Sequence, residues 1–424
     1  MGFRARIGRV FPSEGSNRYD APVHHELEGT PTMGDAVIVS ACRTAIGTAR
    51  KGTLLDVSAF DLAKYAIAEA LQRSGVSAAD VDDIVLGESL QGGGDIARYA
   101  AIEAGLIDVP GVAHNRHCAS GMAAVQTAAG SIMAGMDTVV IAGGAESISS
   151  SPAVMKRVMG TDDMKAWMSP SHPEKPTAPA FDMSITVGWN TAQKVGVTRE
   201  EMDHWACESH ARAVRAIDEG RLEEEIFPIE VALRDGTTTT FKVDEHPRRT
   251  TTMEKLASLK PLHPEIEGFS ITAGNSSGLN DGSAAMVIVD GDYAKEHGLQ
   301  PLAIVRSWAS AGLPPEDTGM GPTRAIPKAL KRAGLSVEDI ALFEINEAFA
   351  SMCVASTRVL GIPHEITNVN GSGCSLGHPV AATGARMIVT LIHELRRRNG
   401  GYGVASMCAG GGMGSATVIE VLEP

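Results

Sequence analysis

The chain has 424 residues, with 37 Lys plus Arg against 51 Asp plus Glu and a net charge of −14. That balance argues against nucleic acid as the main partner, and 43% apolar residues exclude general disorder. The length allows two to three domains, and 46 glycines beside 4% aromatics point to closely packed helices and strands rather than a bulky aromatic core.

Residues 1–34 are polar and aperiodic, and read as an N-terminal extension expected to be mobile. They hold arginines but no apolar run long enough for a secretory signal, and Glu14, Asp20, Glu26 and Glu28 count against a mitochondrial presequence. Met33 is a second candidate start. From Asp35, AVIVSACRTAIG reads as an apolar strand followed by a glycine turn. Residues 66–87, AIAEALQRSGVSAADVDDIVLG, read as an amphipathic helix, a Gly stop, a Ser/Asp turn and a strand. VAHNRHC is then a strand, ASGMAAVQTAAGSIMAGM a small-residue helix and DTVVIAGGAES a strand. Residues 118–136 carry no charge over 19 positions, long enough to span a membrane. Their Ala, Gly, Ser and Thr content predicts a buried soluble helix instead.

Residues 151–275 are more charged, with five methionines (Met155, Met159, Met164, Met168, Met183) and a helix expected over about 198–219. They read as an inserted loop region. The pattern of 66–87 then returns at 325–346, AIPKALKRAGLSVEDIALFEIN, with eight of the 22 aligned positions identical. LAIVRSWASAG at 302–312 mirrors the first strand. ITNVNGSGCSLGH, PVAATGARMIVTLIHELRRR and YGVASMCAGGGMG mirror the later elements. The expectation is an α/β protein of two duplicated halves with stacked sheets. Residues 35–150 and 235–300 form the N-terminal half, with an uncertain boundary against the insertion, and 301–424 the C-terminal half.

Cys118 falls between a strand and a helix start, where free N–H groups and the helix dipole stabilise a thiolate and can hold an oxyanion. Cys118 shifted by the repeat falls on Gly377, next to His378. Pseudo-symmetry therefore predicts a thiol and an imidazole converging where the halves meet, the pattern of an activated nucleophile. Pro379 is read as the first residue of the following helix. Cys408 ends the last apolar strand before AGGGMG, which does not fit a dinucleotide-binding G-x-G-x-x-G. Asn346 and Glu347 follow the strand IALFEI, and the plainer reading makes them the cap and first turn of a helix. None of the six cysteines forms a C-x-x-C, so neither a disulfide framework nor a zinc site is expected. Free thiols suit a reducing, cytoplasmic setting.

NRHCASGMAA, TAGNSSGLNDGSAA, NEAFA, GHP with its following GAR, and CAGGGMG, in this order, resemble the signatures of the thiolase family. The resemblance covers about residues 35–424. It implies two βαβαβαββ halves, a loop domain between them, and Claisen chemistry on coenzyme A thioesters in fatty acid and lipid metabolism. It also implies a homodimer or homotetramer, CoA and acyl-CoA as partners, no metal and no permanently bound cofactor. By resemblance Cys118 is the acyl-accepting nucleophile, and His378 activates it and donates to the thioester oxyanion. Cys408 moves a proton on or off the acetyl-CoA Cα or the CoA sulfur. Asn346 holds an oxyanion-hole water, and Gly410 with the Cys118 backbone forms a second oxyanion hole. Arg248, Ser277, Ala273, Trp189 and Met183 match positions near CoA or the acyl chain.

Two departures stand out. Cys374 is an extra thiol before GHP, assigned to packing. The segment Met183–Asn190 has Trp189 where Glu is common, which leaves the acyl chain open and points to 3-ketoacyl-CoAs longer or more branched than acetoacetyl-CoA. A basic patch for CoA is sought among Lys156, Arg157, Lys165, Arg248 and Arg249. The alternatives are a short-chain acetyl-CoA acetyltransferase, a ketoacyl-synthase-type condensing enzyme, which Cys408 speaks against, and a non-catalytic binding protein, which the intact Cys-His-Cys set speaks against.

Overall fold

The structure, a computed structural model, describes residues 34–424; the predicted N-terminal extension and its mobility lie, Gly34 apart, outside the described residues. The first copy runs β1 (Ala36–Arg43), β2 (Gly47–Thr48), α1 (Ala59–Ser74), β3 (Asp83–Gly87), α2 (Ile96–Glu103), β4 (Val112–His114), α3 (Ser120–Met133) and β5 (Val139–Ser147). A long excursion follows. It holds the hairpin β6 (Met155–Arg157) and β7 (Met164–Ala166), then a π-helical segment, Ser184–Trp189, running into α4 (Asn190–Val195). It continues with α5 (Arg199–Asp218), the hairpin β8 (Ile229–Ala232) and β9 (Thr238–Phe241), and α6 (Met253–Ala257). The chain returns through β10 (Asn280–Asp290) and α7 (Gly291–Glu296). The second copy is β11 (Ala303–Gly312), α8 (Gly321–Ala333), β12 (Ile340–Ile345), α9 (Ala350–Leu360), α10 (Thr383–Arg397), β13 (Gly401–Ala409) and β14 (Met413–Val421).

The repeat is visible in its punctuation. α1 is capped by Ser58, whose side chain accepts from the Asp61 N–H, and buries Leu62, Ala63, Ala66, Ile67 and Ala70 at helical spacing. It stops at Gly75, φ 72°, and α8 stops at Gly334, φ 71°, each a left-handed position that glycine adopts without a Cβ penalty. Ser77 then caps one short turn, and Ser336 with Asp339 caps the other. The excursion helix predicted near 198–219 is α5, with a Thr198/Glu201 capping box.

Ten strands form one sheet, in the order β12-β13-β14-β11-β1-β10-β5-β3-β4, with β2 on β10. The two copies join through Val37↔Ile304 and Ile38↔Ala303. Strand alternation sorts the core into three clusters. Val139 and Ile141 of β5 face α1 and α2, whereas Val140 and Ala142 face α3 and α10. Likewise Ala405 and Met407 of β13 face that same helix pair, and Val404 and Cys408 face α8 and α9. The two halves of the sheet are therefore stacked with α3 and α10 between them, rather than laid directly face to face.

Glycine makes this middle layer close. A Cβ on Gly121 would lie 2.6 Å from the Ala381 carbonyl oxygen, and one on Gly384 would lie 2.5 Å from Met122. α3 is the charge-free helix of the sequence, buried in this layer, and no described helix is long and apolar enough to cross a membrane. β5 and β10 pair antiparallel from Ser147↔Asp281, as β13 and β14 do from Ala409↔Met413. The excursion thus leaves the first copy where the second makes only the short turn Gly410–Gly412.

Candidate active site

Cys118 sits on a tight turn. His117 has φ 47°, a strained value for a residue with a Cβ. The Ser120 hydroxyl stitches the turn, accepting from the Arg116 N–H at 2.9 Å and donating to the His117 carbonyl at 2.6 Å. α3 starts at Ser120 with no side-chain cap, so its dipole end lies beside the sulfur. Burial pushes the Cys118 thiol up to about 11, against the N–H groups of Gly410 and of Cys118 itself, which favour the thiolate. These two backbone donors are the pair expected for an oxyanion hole. Gly410 is closely packed: a Cβ there would lie 3.2 Å from Ser171 of the excursion and 3.5 Å from the His117 ring.

Cys408, second-last residue of β13, is buried with its sulfur 3.5 Å from Met352 Sδ. Burial and then the neighbouring Cys118 raise its thiol far above the ordinary range. The two sulfurs are electrostatic neighbours, and both protonated thiols need a base.

His378 is fully enclosed, and burial, helped by Arg386, lowers its imidazole to about 3, so it is neutral. Its backbone N–H donates to Asn280 Oδ1 at 3.0 Å. Its Nδ1 lies 2.7 Å from Thr383 Oγ1, which itself reaches the Pro379 carbonyl at 2.8 Å. A hydroxyl that donates to Pro379 accepts from Nδ1–H, which leaves Nε2 as the bare lone pair. Nε2 is buried and has no partner among the described residues. Asn346 lies beside the ring, Nδ2 at 3.5 Å from Nδ1, and its Oδ1 is likewise buried and unpartnered. Buried polar atoms without partners are uncommon and mark functional positions.

The reading of Pro379 as the first helical residue is corrected: α10 begins at Thr383, and residues 379–382 form a separate turn, with Ala382 N–H and Thr383 N–H donating to the Pro379 carbonyl. Asn346 and Glu347 are not a helix cap, because α9 starts at Ala350 after Phe349. Glu347 instead accepts from Trp205 Nε1 (2.9 Å), Ser209 Oγ (2.6 Å), Asn368 Nδ2 (2.9 Å) and the Cys374 N–H (3.0 Å), in the core. Cys374 is buried with its sulfur on the Glu347 carbonyl, in a packing position.

The segment around Ser277 lines the same place. The Ser277 N–H donates to the Ala348 carbonyl at 2.9 Å, and Leu279 bridges His378. Ala273 is exposed on this segment. Trp189 and Met183 lie farther out: Trp189 packs on Phe269, ring centroids 5.1 Å apart, and both join the apolar cluster under α8 and α9. Among the basic candidates, Arg249 is bound to Asp218 at 2.6 Å, and Lys156 lies 5.0 Å over the Trp167 ring. Arg157 reaches the Thr161 carbonyl, Lys165 is exposed on β7, and Arg248 is exposed without an ion pair among the described residues. The described residues contain no cluster of three or more metal-ligating side chains. Thr383, Asn280 and Glu146 escaped the sequence reading; Glu146 had a signal, a lone carboxylate ending the apolar run VVIAGGAES.

Residues 36–292 match the family description "Thiolase, N-terminal domain", and residues 299–421 match "Thiolase, C-terminal domain". The chain is 42% identical over 402 residues to the 3-ketoacyl-CoA thiolase of Bacillus subtilis, covering 92% of this chain and 100% of that protein. It is 43% identical over 394 residues to the acetyl-CoA acetyltransferase of Pseudomonas aeruginosa, covering 91% and 99%. Among solved structures, the Bacillus anthracis acetyl-CoA acetyltransferase aligns with a TM-score of 0.86 at 42% identity, covering 93% of this chain and 100% of that one. Human mitochondrial 3-ketoacyl-CoA thiolase aligns at 0.83 and 36%, covering 92% and 100%.

Proposed function

The chain belongs to the thiolase family, and from that premise we propose how its residues divide the reaction. The protein is an acyltransferase that interconverts a 3-ketoacyl-CoA plus CoA with acetyl-CoA and an acyl-CoA shortened by two carbons. In the condensing direction the Cys118 sulfur attacks the acyl carbon, its proton passing to His378 Nε2, and the bond from that carbon to the CoA sulfur breaks. CoA leaves as the thiol, its sulfur taking the S–H proton of Cys408. Cys408, now a thiolate, takes a proton from the Cα of acetyl-CoA. The enolate oxygen is held by His378 and by a water on Asn346. The carbanion attacks the acyl carbon, the new oxyanion rests on the Cys118 and Gly410 N–H groups, the bond to Cys118 breaks, and the departing sulfur takes its proton back from His378 Nε2. One thiol cannot be both acyl carrier and base, so two are required. CoA esters enter as substrates, and the scheme uses no resident cofactor and no metal.

The observation that carries this reading is the buried His378 Nε2, left as a bare acceptor by the Thr383 contact to Nδ1 and without a partner among the described residues. Incubation with acetyl-CoA should leave an acetyl group on the wild-type protein by mass spectrometry and none on Cys118→Ala. Cys408→Ser should still be acetylated, but lose ~10²–10⁴ in the carbon–carbon step. An adduct on Cys118→Ala would mean that another thiol carries the acyl group.

For the substrate, the segment before α4 supports a 3-ketoacyl-CoA longer or more branched than acetoacetyl-CoA. Gly188 packs on the ring of Phe349, and its carbonyl accepts from Ser351 at 2.8 Å, so this apolar stretch with Trp189 and Met183 backs the Asn346 loop. A matched chain gains ~0.8 kcal/mol per buried methylene. A chain-length series on wild type and Trp189→Ala tests this; a peak at acetoacetyl-CoA that ignores the substitution favours the short-chain alternative. Exposed Arg248 and half-buried Ser277 fit the CoA side. The edge strand β4 and the exposed Tyr99, Ile102 and Ile107 support pairing with a second copy; a wild type that sediments as a monomer would remove that reading. Six free thiols suit the cytoplasm, and the reaction suits fatty acid and lipid metabolism.

A further inference from the structure

The acyl-transfer reading requires Cys118, on the first copy, and His378, on the second, to stand in fixed relation. One peptide group joins their two turns. Ala381 follows His378 at the same distance as Gly121 follows Cys118, and its carbonyl oxygen enters a notch made by three glycines of the first copy. A Cβ on Gly87, Gly121 or Gly144 would stand 2.7, 2.6 or 2.2 Å from that oxygen. These glycines belong to the end of β3, the first turn of α3 and β5. None of them has a positive φ, so space rather than backbone freedom calls for glycine there.

The N–H of the same residue is also held by the first copy. It donates to Glu146 Oε2 at 3.2 Å, while Glu146 Oε1 accepts from Gln91 Nε2. Glu146 is fully buried near the end of β5, two residues past Gly144. A buried carboxylate is costly, and an apolar residue would fill the space with less penalty. Burial pushes its acid up to about 7, against the donors that face it. The residue therefore sits where its hydrogen bonds, not its packing, justify it.

We infer that Glu146 is a positioning residue, which with the Gly87–Gly121–Gly144 notch clamps the Ala381 peptide and so sets the His378 turn against the Cys118 turn. The consequence for rate rests on the acyl-transfer reading; the clamp itself does not. A leucine at 146 fills the space but accepts no hydrogen bond, whereas a glutamine still offers an amide oxygen to the Ala381 N–H.

The test compares Glu146→Leu and Glu146→Gln in thiolysis of a 3-ketoacyl-CoA, with Tm recorded for both. Glu146→Leu should lose roughly 10–100-fold in kcat, the scale of a small misplacement of reacting groups, with KM nearly unchanged. Glu146→Gln should recover kcat to within a few-fold of wild type. Wild-type kcat in the leucine variant, or equal losses in both, would overturn the inference. Should the leucine variant not fold, amide exchange on the wild-type protein decides: the Ala381 N–H should be as protected as the interior of α10, and exchange at the rate of an exposed loop would overturn the clamp. That measurement uses no substrate. A wild-type protein with a protected Ala381 but no thiolysis would sink the acyl-transfer reading and leave the clamp standing.

Discussion

At the scale of single residues, the site is built from groups whose ordinary chemistry has been displaced by burial. Cys118 and Cys408 are protonated at neutral pH, and His378 is neutral. With the thiol raised and the imidazole lowered by burial, the proposed attack by the Cys118 sulfur would be accompanied by proton transfer to Nε2. Thr383 decides whether Nε2 is free to receive that proton, because its hydroxyl faces Nδ1 at 2.7 Å and the Pro379 carbonyl at 2.8 Å. Thr383→Val keeps the shape and removes the hydroxyl, so the imidazole loses its fixed tautomer. Acetylation of Cys118 in rapid-quench experiments should slow by about tenfold or more, with Thr383→Ser close to wild type. An undiminished rate in the valine variant would show that the tautomer is set elsewhere. Cys118 and Cys408 were legible at the ends of predicted strands and His378 through the repeat, although the stretch before His378 is a run of turns and not the strand that the mirrored pattern predicts. Glu347 was not, since a Glu just after a strand reads equally well as a helix first turn. Only the folded chain brings Trp205, Ser209, Asn368 and Cys374 to it.

At the scale of elements, the repeat made most of the fold legible. Gly75 and Gly334, and the Ser turns after them, mark the same stops in α1 and α8. The start of α10 was not legible. Proline is favoured at a first helical position, but here Pro379 opens a turn whose Ala381 carbonyl is drawn into the glycine notch, and the helix begins only afterwards. Helix glycines also look alike in sequence, although their surroundings differ. A Cβ on Gly384 of α10 would meet the backbone nitrogen of Met122 at 2.5 Å, and backbone cannot yield cheaply. A Cβ on Gly130 of α3 would touch the Trp308 ring at 3.4 Å, near ordinary contact. Gly384→Ala should therefore lose about 1–3 kcal/mol or more by overpacking. Gly130→Ala should be near neutral or gain up to about 1 kcal/mol in helix propensity. Urea unfolding of both variants checks the pair, and equal effects would mean that the layer between the half-sheets adjusts more freely than its distances indicate.

At the scale of the whole molecule, the buried titratable groups oppose one another, and their balance sets the response to acid. Burial lowers His378 to about 3 and His210 and His246 to about 4. Unfolded, each takes a proton near pH 6.5, so the unfolded chain binds more protons below that pH and stability falls as pH falls. Burial raises Glu146 and Glu344 to about 7, against an ordinary 4.5. Folded, each already holds a proton between pH 4.5 and 7, so in that window these two favour the native state as pH falls. His114 and His117 are lowered by burial as well, and Asp83 and Asp281 raised by it, so the histidines oppose the carboxyls and stability falls only gently from about pH 6.5 to 4.5. Below pH 4.5 the carboxyl contribution is exhausted, while His210 and His246 continue to about 4 and His378 to about 3. Carboxylates held low in the fold, such as Glu208 beside His364 and Glu394 beside Asn370, then add to the loss. Denaturant unfolding from pH 7.5 to 4 should show this shallow slope followed by a steep one. His246→Asn removes one of these protons and should make the first limb shallower. A steep fall beginning at pH 6.5 in the wild type, or an unchanged slope in His246→Asn, would mean that these buried groups do not govern the acid response.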